Sequence, residues 1–273
     1  MARTAITDNI WEQLQTTMKA HGCHQWKNDR TVMEAILWKL RTGAPWRDIP
    51  IELGSWKTAY NRFNRWSKKG LWQKFFFDLR KEIDKEWVFI DGSYVRCHQH
   101  ASGARRGFDR AIGQSRGGNT TKIHLCVDSH GNPLDFKVTG GNVHDGQVAN
   151  DLIEVIQEAQ YFIADKGYDS QEIRDKAIEH GMKAIIPKRK YDSQEIRDKA
   201  IEHGMKAIIP KRKNAKKPNP DFDSYLYKLR HLVENAFARL KQFRSIATRY
   251  EKLARNFKSM LYLACSIIHA KLN

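Results

Sequence analysis

The sequence predicts an α/β protein, a mixed sheet with helices packed on it, preceded by a small all-α, helix-turn-helix-like domain. Three observations carry that expectation. The first 84 residues place apolar and aromatic side chains at helical spacing. Beyond Glu86, short β-branched and aromatic runs alternate with helical patterns, the mark of a sheet with packed helices. Two of those strand runs are followed directly by an aspartate. The change of pattern divides the chain into 1–84 and 85–273.

In the first part, Thr31 reads as an N-cap; Val32, Ala35, Ile36 and Leu40 follow at helical spacing, and Gly43 supplies a stop. Pro45 and Pro50 punctuate a connector. Ser55 reads as the cap of a further helix, with Trp56, Tyr60 and Phe63 on its apolar side and Gly70 after its end. The other side carries Lys57, Asn61, Arg62, Arg65 and Lys68. A compact helical unit with such a basic face suits a helix-turn-helix reader of DNA; an amphipathic helix with a solvated basic face shows the same pattern. Trp56 and Trp66 read as core residues rather than base wedges.

In the second part, Trp87–Ile90 is a short buried-strand pattern that delivers Asp91 at its end. Ala101–Gly118, rich in Gly and Arg, reads as a mobile basic loop. Thr120–Asp128 and Leu134–Thr139 read as two strands of a hairpin closed by Ser129–Asn132. Asp145 is expected to cap a helix to about Ala159, and Tyr161–Ala164 is a strand that ends in Asp165.

Next, Tyr168–Lys190 is repeated letter for letter as Tyr191–Lys213. Each copy encodes one helix-strand unit: Ser170 (Ser193) as cap, Gly181 (Gly204) as stop, and Ala184–Ile186 (Ala207–Ile209) as strand. Two units are too few for a solenoid. They present the same interior face and so compete for one place on the sheet. The second copy either bulges at the surface or extends the sheet edge by about 4.8 Å, a shift the polar connector Asn214–Asp223 is long enough to absorb.

Composition bounds the function. With 48 Lys+Arg against 31 Asp+Glu, the formal net charge is +17, which points to a polyanionic partner. Hydrophobic residues make up 41%, enough for a core. The four cysteines are scattered without a CxxC pair, against a zinc ribbon or disulfide framework. Cys97, His98 and His100 alternate after a strand and lack a fourth partner at zinc spacing. The opening residues lack the apolar run of a signal peptide, and no stretch reaches the roughly 18 apolar residues of a bilayer span. A cytoplasmic, nucleoid-associated protein with no membrane partner is expected.

An aspartate after a strand suits a turn or cap as well as a site. Asp91 and Asp165 gain weight from a third element. Tyr227, Arg230, Glu234 and Lys241 fall in a helical pattern beginning near Ser224 and share one arc of about 60°. Leu226, Leu229, Val233, Phe237 and Leu240 form the adjacent apolar stripe. Docking that stripe on the sheet lets Glu234 face the two aspartates. Three carboxylates from separate elements suit two Mg²⁺ ions, with Mn²⁺ able to substitute, for in-line phosphodiester displacement. Tyr227, Arg230 and Lys241 would contact phosphates.

These residues resemble a bacterial insertion-sequence transposase of the DDE class, in the family numbered five among insertion sequences. RTGAPWRDIP and SWKTAYNRFNRWSKKGLW resemble that family's DNA-binding domain (1–84). WVFIDGSYVRCHQHASGARR, SRGGNTTKIHLCVDSHGNPL, GGNVHD and IADKGYDS resemble its catalytic domain (85–273). YKLRHLVENAFARLKQF carries the Tyr-x2-Arg-x3-Glu-x6-Lys signature. The resemblance implies an RNase H-like fold, a metal-binding catalytic triad of Asp91, Asp165 and Glu234, and DNA contacts from Lys57, Asn61, Arg62, Arg65, Tyr227, Arg230 and Lys241. It also implies double-stranded DNA partners (terminal inverted repeats and target DNA) and a homodimer or larger assembly on them. Two departures stand out: Asp91-Gly92-Ser93 where the family has Asp-Ser/Thr, and the second repeat copy. If that copy misplaces Glu234, the expected product is a catalytically impaired end-binding repressor.

Overall fold

The computed structural model describes residues 5–80, 84, 86–103, 109–155, 159–168, 170–186 and 228–271. The second repeat copy, the end of the first, the connector after them, Leu226 and Tyr227 lie outside these residues.

Four helices open the chain: α1 (Asp8–Ala20), α2 (Asp29–Thr42), α3 (Trp56–Lys68) and α4 (Leu71–Leu79). α2 starts before the expected Thr31 cap. Asn28 is the N-cap, and Asp29 accepts a hydrogen bond from the Trp26 N–H at 2.8 Å. The helix ends at Gly43, φ 68°. A Cβ there would also lie 3.1 Å from Cβ of Arg244, so the left-handed turn and a close approach both require glycine. Ser55 holds the N-cap position of α3, but its hydroxyl makes no cap hydrogen bond. The rings of Phe63, Trp66, Trp72 and Phe75 pack with centroids 5.2 to 5.8 Å apart.

The sheet contains β1 (Trp87–Cys97), β2 (Gly113–Ser115), β3 (Gly118–Val127), β4 (Pro133–Gly140), β5 (Tyr161–Ala164), β6 (Lys183–Ile185) and β7 (Thr248–Arg249). Helices α5 (Gly146–Val155), α6 (Gln171–Glu179), α7 (His231–Lys241), α8 (Arg244–Ala247) and α9 (Ala254–Lys271) are the further α-helices among the described residues. The strand order is β2-β3-β1-β5-β6, with β4 also on β3 and β7 also on β1. β1, β3 and β4 form an antiparallel meander, whereas β5 and β6 run parallel to β1.

Several boundaries differ from the sequence expectation. β1 does not stop at Ile90; antiparallel pairing with β3 carries it on to Arg96. Gly113–Ser115 turns back on Gly118–Thr120 inside what reads as a loop. α5 is described from Gly146 to Val155; residues 156–158, over which the expected helix would continue, lie outside the described residues. The helix expected from Ser224 is broken by a turn at Leu229–Arg230, and α7 starts afresh at His231. Arg230, at the N-cap of α7, keeps helical dihedrals (φ -54°, ψ -26°) and meets Glu234 four residues on, so these two stay neighbours on one face; Tyr227 lies outside the described residues. Ser170 does cap α6, accepting from the Ile173 N–H at 3.2 Å.

Two cores sandwich the sheet. Val88, Ile90, Cys126, Phe162 and Ala164 point to one face and pack with α5 and α6. Phe89, Val95, Ile123, Leu125 and Ile163 point to the other. There they share one continuous core with α7, α9 and the four opening helices. Among the described residues no helix is long and apolar enough to cross a membrane; the apolar run Met260–Ile268 is buried within α9.

Candidate active site

The parallel ladder between β1 and β5 ends at Ile90 opposite Ala164. Asp91 and Asp165 are the next residues on each strand. In-register residues of parallel strands point to the same face, and neighbouring strands lie about 4.8 Å apart. The two carboxylates therefore sit side by side where the ladder opens, at the carboxyl end of the strands. They share the face that holds Phe89 and Ile163, the face covered by α7.

α7 docks through Val233, Ala236, Phe237 and Leu240, all buried. That orientation brings Arg230, at its N-cap, to Asp165. Arg230 Nη1 lies 3.4 Å from Asp165 Oδ1, and Nη2 lies 3.8 Å from Glu234 Oε1. Lys241 Nζ donates to Ser93 Oγ at 2.6 Å, two residues along β1 from Asp91. Glu234 is 62% exposed and turned to Arg230. Among the described residues no three His, Cys, Asp or Glu side chains converge as a metal cluster. The structure thus brings Asp91, Asp165 and Arg230 together and holds Glu234 at the edge, behind the guanidinium.

Burial pushes the Asp91 carboxyl above its usual pKa, and the charges of Asp165 and Asp145 add to the rise; the Gly92 N–H, 2.7 Å away, and Arg230 oppose it. Burial alone lowers the Lys241 ammonium. Paired, partly desolvated carboxylate oxygens are donors that suit a hard divalent cation, and Arg230 already places positive charge between Asp165 and Glu234. The residues present fit a metal centre in donor type.

A network that sequence reading missed lies across the sheet. Asp145 immediately precedes α5, as expected of a cap residue, but its carboxylate is used elsewhere. Oδ2 accepts from Lys122 Nζ at 2.6 Å and Oδ1 lies 3.2 Å from His124 Nδ1. His124 is fully buried and also contacts the Tyr168 hydroxyl at 3.4 Å and Thr139 Oγ1 at 2.9 Å. Burial raises the Asp145 pKa, but hydrogen bonds and charge from His124 and Lys122 outweigh it, so the carboxyl is held below the usual range. A Cβ on Gly92 would lie 2.5 Å from Asp145 Oδ1, and one on Gly167 would lie 3.3 Å from Oδ2. Asp145 thus fills the space left by the glycines that follow Asp91 and, two residues on, Asp165. This gives a steric reason for Gly92. The sequence signal was two polar residues, Lys122 and His124, on one face of an otherwise buried strand.

The remaining expected contact residues divide. Lys57, Asn61 and Arg65 are exposed along one side of α3. Arg62 is not available to a ligand: it is buried, 2.7 Å from Asp29 Oδ1, with its guanidinium over the Trp66 ring. Tyr227 falls outside the described residues. Cys97 is buried against Thr121, and His98 stacks on Tyr250.

An antiparallel meander joined to parallel strands, with an acidic pair where β1 and β5 part, defines an RNase H-like protein. Comparison with known proteins places it further. The family model described as "Transposase DDE domain" matches residues 83–268, and that described as "Putative transposase of IS4/5 family (DUF4096)" matches residues 6–76. The chain belongs to the DDE transposase family of insertion sequences. It is 32% identical over 149 residues to the Brucella ovis "Putative transposase for insertion sequence element IS6501", covering 55% of this chain and 97% of that protein. An uncharacterized Sinorhizobium fredii protein, y4sN, is 43% identical over 79 residues, 29% of this chain. The match spans 63% of that relative's length. Among solved structures, piggyBac transposase in a synaptic complex with hairpin DNA shares the fold. The TM-score is 0.51 at 12% identity, over 97% of this chain and 73% of that one.

Proposed function

We propose that this transposase binds the terminal inverted repeats of its element, cleaves a DNA strand at the element end and joins it to target DNA, working as a homodimer or larger assembly on paired ends. The observation that carries the reading is the pair Asp91 and Asp165 at the opening of the β1/β5 ladder, with Arg230 and Glu234 beside it.

Asp91, Asp165 and Glu234 would hold the metal, Mg²⁺ or Mn²⁺. When bound, divalent ions polarise the scissile phosphate and activate the attacking oxygen. Arg230, once freed from Asp165 and Glu234, offers a planar fork for two oxygens of one phosphate. Lys241, placed on Ser93, meets a neighbouring phosphate. Lys57, Asn61 and Arg65 on α3 contact DNA outside the site. Hydrolysis frees a 3′-hydroxyl, which then attacks target DNA with no covalent enzyme intermediate.

The test is strand cleavage of duplex DNA bearing the element ends, with Mg²⁺ or Mn²⁺, by the full chain and by Asp91→Asn. Metal-dependent nicking by the full chain, lost in Asp91→Asn while end binding persists, is expected. Equal nicking by both proteins would place the chemistry elsewhere.

A further inference from the structure

We propose that the cleft between the opening helices and the segment after α7 is a second DNA-contact site, gripping the phosphate backbone of the duplex roughly seven base pairs from the bond held at Asp91 and Asp165. The inference rests on the DNA reading above and adds a place and a register to it.

The cleft has a volume of about 1780 Å³ and is walled from both sides of the molecule. Arg47 and Lys68 stand on the amino-terminal wall, Arg244 and Lys252 on the carboxyl-terminal wall. All four are exposed, and none pairs with a carboxylate among the described residues. Lys39, deeper in the cleft, is different: it lies 3.8 Å from Glu251 and the two offset one another. The unneutralised charge therefore lies at the rim, where a polyanion would reach it.

The aromatic lining decides between phosphates and bases. Arg47 lies over the Trp56 ring at 5.6 Å, and Lys57 lies over it at 5.8 Å. Tyr250 is stacked on His98 with centroids 4.8 Å apart. These ring faces are occupied in holding cations and a neighbouring ring, so they are not platforms for unpaired bases. The cations they position suit the phosphates of a duplex.

Position follows from β1. Along it, the seven residues from Asp91 to His98, which lines the cleft, span about 23 Å. Lys241, on Ser93, lies within that span. At 3.4 Å per nucleotide along a strand, the length corresponds to roughly seven base pairs. The exposed residues of α3 continue the track: Lys57, Lys68, Asn61 and Arg65 follow on from the Trp56 and Tyr60 side, which faces the cleft.

The experiment is binding of the full chain to an element-end duplex in a metal chelator, by fluorescence anisotropy across a salt series. The wild type is compared with Arg47→Ala/Lys252→Ala and with Lys19→Ala/Lys74→Ala, exposed lysines outside the cleft. Each lost phosphate contact reduces the slope of log affinity against log salt by about 0.9, so the cleft pair should flatten it by about 2 and the control pair should not. A neutral methylphosphonate moved one position at a time should weaken wild-type binding at about positions six to eight from the cleavage point, and should not weaken the cleft variant there. Unaltered salt dependence in the cleft variant, equal loss in the control, or no sensitive position in that window would overturn the proposal while leaving wild-type DNA binding intact. No salt-dependent binding by the wild type would overturn the DNA reading itself.

Discussion

Gly92→Ala tests the link between the acidic pair and the network on the opposite face. The added methyl would lie 2.5 Å from Asp145 Oδ1 and 2.8 Å from Lys122 Cε. The lysine can yield at its flexible end, but the carboxylate must leave its place, and with it the 2.6 Å contact to a lysine only 5% exposed. Breaking a buried pair costs about 3–5 kcal/mol; because Asp145 keeps some contact with water, about 2–3 kcal/mol is expected. For a chain of this size that corresponds to roughly 2–4 °C of melting temperature per kcal/mol. The assay is a double-mutant cycle by urea unfolding, with Gly92→Ala made in the wild type and in Asp145→Ala. Without the carboxylate the methyl has nothing rigid to displace, and alanine in a strand is favoured over glycine by roughly 0.5 kcal/mol. The cycle should therefore show about 2–3 kcal/mol of coupling. Equal cost in both backgrounds would refute the steric reasoning.

Further outcomes are expected. Arg62→Met leaves Asp29 buried and unpaired and should lower stability by about 3 kcal/mol in urea unfolding, whereas Lys57→Ala and Arg65→Ala should weaken DNA binding with an unchanged unfolding midpoint. Asp145 has its folded pKa below the ordinary 3.8. Its contribution is therefore present above that value and lost as pH falls through the folded one; the acid-unfolding curve below about pH 4 should flatten in Asp145→Asn. Deleting Tyr191–Lys213 should preserve folding and preserve or raise strand cleavage. An insoluble deletion beside a folded parent chain would contradict this.

Much of this site can be read from local pattern. Asp91 and Asp165 follow apolar runs that have to be strands, and the stripe Val233–Phe237–Leu240 fixes which side of α7 meets the sheet. Arg62 reads as part of the basic face, yet five residues from Lys57 it lies about 140° around the helix, on the Trp66 side, where it is buried. Other features depend on distant partners. Asp91-Gly92-Ser93 reads as a strand end, and only pairing with Leu125–Ile123 extends β1 through it. Asp145 satisfies every local rule for a cap, yet Lys122 and His124, more than twenty residues earlier, take its carboxylate. Arg230 lies between Glu234, four residues on, and Asp165, which only the docking of α7 on the sheet brings beside it.

Glu234 is where the proposed chemistry is most exposed to disproof, since it faces Arg230 rather than the aspartates. The decisive measurement is a Mn²⁺ titration of the DNA-bound full chain by electron paramagnetic resonance, for the wild type and Glu234→Gln. If Asp91, Asp165 and Glu234 form one centre, Glu234→Gln should weaken Mn²⁺ binding by roughly tenfold or more and alter its spectrum. Identical affinity and spectrum in the two proteins would show that Glu234 stays with Arg230 and that the centre is built without it.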